Sequence, residues 1–238
     1  MAACRRHGCP FHHKASPRRH GFCCNACRLG EEVHTCNCTG HHHRVMAAAA
    51  PQPTKKDVAA FTIPGHWACA NGGILQHLGW YMNRLGNDGT MSAATRVAWM
   101  NLEKKMAFIN QARPLIIHVL AEDSASPLLS HAAACRGLNA RAPRVYNMWE
   151  VTGIDFDLQA VLVSQPLTAE ILYDACRSIE LQELDTFAFV CSHATHRSCG
   201  CAVLLAILVY QRARIVFSTN RTKRAAWRRG LVEEVTST

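Results

Sequence analysis

Seven of the 13 cysteines (Cys4, Cys9, Cys23, Cys24, Cys27, Cys36, Cys38) and eight of the 14 histidines fall in the first 43 residues of this 238-residue chain. A stretch so rich in soft ligands and so poor in apolar bulk cannot build a core of its own, so the fold must be sought further along. Charge divides the chain in the same way. Residues 1–56 carry nine Lys/Arg against Glu31 and Glu32, a balance of +7, and residues 212–229 carry seven Lys/Arg and no acid. Residues 57–211 hold ten basic and 13 acidic side chains, a balance of −3. The middle therefore reads as a globular domain between two basic ends. With 49% hydrophobic residues it can fill one core, which excludes a disordered or collagen-like chain. The longest uncharged apolar run, between Arg197 and Arg212, is 14 residues, short of the roughly 20 that a membrane span needs. No membrane association is expected.

The amino-terminal segment reads as a zinc module over residues 1–45. Cys24-x2-Cys27 is followed by Cys36, Cys38 and His41, and preceded by Cys4-x2-His7-x-Cys9. Zinc takes four thiolate or imidazole ligands in a tetrahedron, at spacings of this kind. In a module with so little core the metal would supply most of the folding energy. The candidate ligands are Cys4, His7, Cys9, Cys24, Cys27, Cys36, Cys38 and His41. No apolar signal region follows Met1, so the cysteines are expected to stay reduced, in the cytoplasm or nucleus. Residues 46–58 read as a Pro/Ala linker, 59–226 as the folded domain and 227–238 as a tail. The stretch from Gly21 to His41 resembles a short Cys/His element of predicted proteins of unicellular algae, a resemblance that implies no activity.

In the middle domain, hydrophobic periodicity predicts helices from Gly72 to Gly86, from a Ser92 cap past Met106, from Pro127 to Arg136, from a Thr168 cap to about Leu184, and from Ser198 to Tyr210. Apolar runs predict strands over Leu115–Ala121, Arg144–Trp149, Leu158–Val163, Thr186–Val190 and Arg214–Ser218. Strands alternating with helices imply an α/β fold, with a mostly parallel sheet and helices on both faces.

The stretch from Cys191 to Ser198 carries the most chemistry. It is Cys-x5-Arg-Ser between a buried strand and an apolar helix, so it sits where α/β sheets bind ligands, at the carboxyl end of a strand. The following helix offers its unpaired N–H groups there, and Arg197 adds a forked, permanent cation suited to phosphate. The same field favours the thiolate of Cys191.

The loop resembles the signature of cysteine-dependent protein phosphatases. That resemblance implies Cys191 as nucleophile, Arg197 as phosphate clamp and Ser198 as the hydroxyl that assists release of the phosphocysteine. Asp155 or Asp157 would then be the acid that protonates the leaving group. It also resembles, over more of the chain, the carboxy-terminal domain of the bacterial RNase adapter (RapZ) family. There a strand is followed by Cys-Thr-Gly-Gly-x-His-Arg-Ser and a helix, with an Arg-Thr pair after the next strand. Cys191, His196, Arg197, Ser198, Arg221 and Thr222 match, while His193 and Ala194 stand where that family has glycines. Thr152-Gly153-Ile154-Asp155 resembles its Thr-Gly-x-Asp segment. The implied role is binding of a phosphorylated sugar or nucleotide sugar by those six residues, with an RNA or protein partner as a further implication.

Three functions follow as expectations. The first is an oxyanion-binding regulatory module for a phosphorylated small molecule. The second is a phosphatase with Cys191 and Asp155 or Asp157 as catalytic groups. In the third, the zinc module and the basic ends contact nucleic acid, whose phosphates attract clustered Lys/Arg.

Overall fold

A computed structural model describes residues 2–3, 12–13, 58–69, 73–85, 91–140 and 151–236. The chain divides into two compact units, Met1–Thr54 with Glu180–Glu183, and Lys55–Ile179 with Leu184–Thr238. In the first, β1 (Ala2–Ala3) pairs antiparallel with β2 (His12–His13). All eight candidate zinc ligands lie outside the described residues, as does the strand expected at Arg144–Trp149.

The second unit is built on a mixed six-stranded sheet in the order β5-β6-β4-β7-β3-β8. Its strands are β3 (Val58–Thr62), β4 (Ile116–Ala121), β5 (Ala132–Ala134), β6 (Thr186–Cys191), β7 (Arg214–Phe217) and β8 (Val232–Thr236). The run β5, β6, β4, β7 is parallel, as expected, and β3 lies antiparallel to both β7 and β8. The helices are α1 (Ile74–Leu85), α2 (Ala93–Lys105), α3 (Phe156–Val163), α4 (Pro166–Gln182), α5 (Arg197–Leu208) and α6 (Asn220–Arg228).

Period-two alternation sorts the strand side chains. Phe61, Ile117, Val119, Phe187, Phe189, Ile215 and Phe217 enter the main core, while Leu120, Ala188 and Val190 point to the other face. Every helix contributes buried side chains to the main core, from Leu78 of α1 to Ala226 of α6. Among the described residues the other face meets Leu128, Leu129 and Ala132, the two leucines from a short 3-10 helix. The α-helices, then, cover one face of the sheet and not both. The cause is α5. Every residue from Ser198 to Leu208 is buried, so α5 has no polar side to give to water. It packs on β4, β6 and β7 and is covered in turn by α3, which packs against α1, so the helices form a second layer above it.

Other elements depart from the sequence reading. Leu158–Val163, expected as a strand, is most of α3. A six-residue run with five apolar side chains and Gln159 fits a strand or a buried helix equally well, and here all six are buried in a helix. Pro127–His131 makes a short 3-10 helix and Ala132–Ala134 the edge strand β5, in place of one helix to Arg136. Helix α4 starts at Pro166, and Thr168 inside its first turn donates to the Leu162 carbonyl at 2.6 Å instead of capping. Ser92 does cap α2, accepting from the Thr95 N–H at 3.1 Å. Strands β3 and β8 and helix α6 had no counterpart in the pattern, and β8 falls in the stretch expected as a tail.

Candidate functional site: the Cys191 loop

Cys191 ends β6 at the carboxyl edge of the sheet, and Arg197 begins α5. The five residues between must reverse the chain without a glycine. They do so through Ala194, which is buried and has φ +49°, a left-handed conformation that costs a side-chain-bearing residue roughly 1–2 kcal/mol. The Ala194 N–H donates to the Cys191 carbonyl at 3.4 Å, and Thr195 Oγ1 donates to the His193 carbonyl at 2.7 Å, closing the curl.

The curl turns the backbone inward. Cys191 is 3% exposed, and its Sγ lies 3.0 Å from Ser198 Oγ. Burial of the thiol pushes its pKa up. The Ser198 hydroxyl and the backbone N–H groups of Ser198, His193 and Thr195 donate to the sulfur and outweigh burial, so the pKa lies below the ordinary cysteine value. The dipole of α5 acts in the same direction. Successive N–H groups converging in a left-handed turn at a helix N-terminus form an anion nest.

Above the sulfur lies a cavity of 270 Å³. One wall is the loop itself, through Cys191, Ser192, His193, His196 and Arg197, and the other is Leu138, Asn139 and Ala140. Arg197 Nη2 reaches Ser192 Oγ at 3.4 Å, which keeps the guanidinium over the loop. The facing wall is held by Gln165, whose amide accepts from the Asn139 N–H at 2.7 Å and donates to the Asn139 carbonyl at 2.9 Å. Asn139, Gln165 and the wall they fix were invisible to motif reading. The one local signal is Gly137, whose φ of +83° turns the chain from β5 into that wall.

The 151–155 segment packs against the back of the loop. The Gly153 N–H donates to the Thr195 carbonyl at 2.8 Å, and Gln159, which accepts from Tyr81 Oη at 2.8 Å, donates to the Gly153 and Ile154 carbonyls at 2.9 and 3.2 Å. A methyl group on Gly153 would run into the backbone of His196, Cys199 and Gly200, so this close approach requires glycine. Asp155 accepts from the Thr152 N–H at 2.7 Å and from Arg229 Nη2 at 2.7 Å. It is held on its own loop and does not line the cavity, and Asp157, in the first turn of α3, does not line it either.

Of the residues singled out by sequence, Cys191, His196 and Arg197 are brought together on the cavity, and Ser198 supports the sulfur from behind. Arg221 and Thr222 lie elsewhere. Arg221 Nη2 donates to the Val151 carbonyl at 2.7 Å. Thr222 is buried in the first turn of α6, where its Oγ1 donates to the Thr219 carbonyl at 2.8 Å.

Among the described residues no group of three or more His, Cys, Asp or Glu side chains is placed to hold a metal ion, and no helix is long and apolar enough to cross a membrane. No family model, curated protein or solved structure matches the chain.

Proposed function

We propose that the Cys191–Ser198 loop is the phosphate-binding site of a regulatory module that takes a phosphorylated small molecule. The observation that carries this reading is a cavity at the N-terminus of α5, lined by Cys191 and rimmed by Arg197, with the N–H groups of His193, Thr195 and Ser198 and the Ser198 hydroxyl gathered on the Cys191 sulfur beneath it. Ser192 Oγ already holds the Arg197 guanidinium over the loop, so little ordering cost opposes binding. At 270 Å³ the cavity is at the small end of ligand sites, which favours the phosphorylated end of a sugar phosphate over a whole nucleotide sugar. Zinc bound by residues 1–45, and a polyanion contact through the basic ends, are further parts of the proposal and rest on sequence pattern alone.

A second reading is favoured by one observation, a Cys191 thiol that lines the cavity with its sulfur 3.0 Å from Ser198 Oγ, where the surrounding donors favour the thiolate. In a phosphatase its thiolate would attack phosphorus, the alcohol would leave with a proton from an acid, and water would release the phosphocysteine. Asp155 is held by Thr152 and Arg229, so the groups on the cavity that can carry a proton are His193 and His196.

Calorimetric titration with inorganic phosphate and with a hexose phosphate tests the first reading. Arg197→Ala is expected to weaken binding roughly tenfold or more, since a charged hydrogen bond contributes about 1.5–3 kcal/mol. Equal affinity in wild type and variant overturns it. Turnover of para-nitrophenyl phosphate that Cys191→Ser abolishes would establish the second.

A further inference from the structure

The thiol next to Cys191 has no part in that site as described. Strands β5 and β6 run parallel with Ala133 opposite Phe189 and Ala134 opposite Val190, so the next residues on each strand, Cys135 and Cys191, lie side by side. The Cys135 N–H donates to the Val190 carbonyl at 2.8 Å, which carries the ladder one residue past the end of β5. Alternation puts both side chains on the helix-covered face, and both belong to the main core. Neighbouring strands are about 4.8 Å apart, inside the roughly 4.4–6.8 Å separation of α-carbons that a disulfide accepts. Both cysteines are reduced here.

We propose that Cys191 is a peroxide-reactive site and that Cys135 is its resolving partner, so that oxidation joins β5 to β6 through a Cys135–Cys191 disulfide. Of the proposed phosphate site this needs only the donors on the Cys191 sulfur and the cavity, the latter as a route for a molecule as small as hydrogen peroxide. The inference therefore holds whether or not the cavity takes phosphate.

The chemistry balances in two steps. The Cys191 thiolate attacks one oxygen of hydrogen peroxide; the O–O bond breaks, hydroxide leaves, and the sulfur, oxidised by two electrons, becomes the sulfenic acid. The Cys135 sulfur then attacks the Cys191 sulfur. The S–O bond breaks, the S–S bond forms, and the hydroxyl leaves as water with the Cys135 proton.

The two thiols differ in the way these roles require. Cys191 borders the cavity and receives the N–H donors that favour its thiolate. Cys135 is fully buried, and its hydrogen bond with the Cys201 thiol, then burial, push its pKa well above the ordinary value, so it waits as a protonated thiol. Cys199 is the rival resolving group, since the charge of Cys191 also raises its pKa, but it lies on the first turn of α5, outside the strand register that sets Cys135 beside Cys191. The disulfide would also couple the two sides of the cavity, because Cys135 leads directly through Gly137 into the 138–140 wall.

The test is peptide mapping of the full-length protein after brief treatment with hydrogen peroxide, with free thiols blocked by alkylation before digestion. The expected product is a cross-linked pair of peptides containing Cys135 and Cys191 that dithiothreitol separates. It should be lost in Cys135→Ser, where Cys191 is instead trapped by dimedone as the sulfenic acid, and retained in Cys199→Ser. Cys135→Ala provides a second variant if the serine does not fold. A cross-link from Cys191 to Cys199 or Cys201, or a Cys191 that stays reduced while other thiols oxidise, overturns the proposal.

Discussion

Two turns in this domain lead from a strand into a helix through an arginine followed by a hydroxyl residue, and they use the same parts in opposite ways. After β7, Thr219 caps α6. It accepts from the Thr222 N–H at 3.2 Å, Thr222 Oγ1 donates back to the Thr219 carbonyl, and Arg221 is spent on the Val151 carbonyl. After β6, the residue at the cap position of α5 is His196, which makes no side-chain cap bond, and Ser198 turns its hydroxyl to a sulfur. A helix N-terminus attracts anions only where its N–H groups are not already satisfied by its own side chains. The α6 turn closes on itself, and the α5 turn opens on a cavity.

The two turns meet through the 151–155 segment, which bonds to Arg221 on one side and to the Thr195 carbonyl on the other. The sharpest way to break the comparison is therefore Gly153→Ala. Its methyl would meet backbone atoms of the first turn of α5, which cannot rotate away as a side chain would. The expected loss is about 3 kcal/mol, at the upper end of overpacking costs, or roughly 10 °C in melting temperature by circular dichroism. Phosphate affinity should fall with it, because the N–H groups of the loop would move. Wild-type stability in this variant would mean that the segment does not support the loop.

Removing the cap of α6 separates the two turns. Thr219→Ala leaves the Thr222 N–H without its acceptor, and an N-cap truncation costs about 1 kcal/mol. The melting temperature should drop by about 3 °C while titration with inorganic phosphate stays within twofold of wild type. Arg197→Ala should do the reverse, keeping the melting temperature and losing the phosphate. A tenfold loss of phosphate affinity in Thr219→Ala would place the α6 turn in the site.

The contrast explains what the sequence made legible. The strand–loop–helix around Cys191 could be read because β6 and α5 are apolar almost throughout and Cys, Arg and Ser stand at the ends of one short loop. The Arg221-Thr222 pair could be read as a motif but not as a cap, since the choice depends on what the hydroxyl reaches in three dimensions. Helix α6 was hidden because Arg221, Lys223, Arg224 and Arg228 mask its few apolar contacts, and β8 because Glu233 and Glu234 interrupt its pattern at a solvent-facing edge. The far wall of the cavity was hidden for a different reason. It is made by backbone and by the Gln165 amide acting across 26 residues, and no local pattern records such a contact.

The smallest expected effect lies at Ala194, and it decides how the loop does without glycine. At φ +49° an alanine is strained by roughly 1–2 kcal/mol, and Ala194→Gly removes that strain. The same change loses a fully buried methyl group, worth about 0.8 kcal/mol, and adds roughly 0.4–1 kcal/mol of unfolded-chain entropy. The contributions nearly cancel, so stability should change by less than about 1 kcal/mol, with urea midpoints close together. A gain well above that would mean that the methyl group packs poorly and that the loop carries stored strain toward its sulfur. A loss above about 2 kcal/mol would mean that Ala194 is a packing residue which holds the turn from beneath. In that case the N–H groups of His193 and Thr195 face Cys191 because the core pins them there.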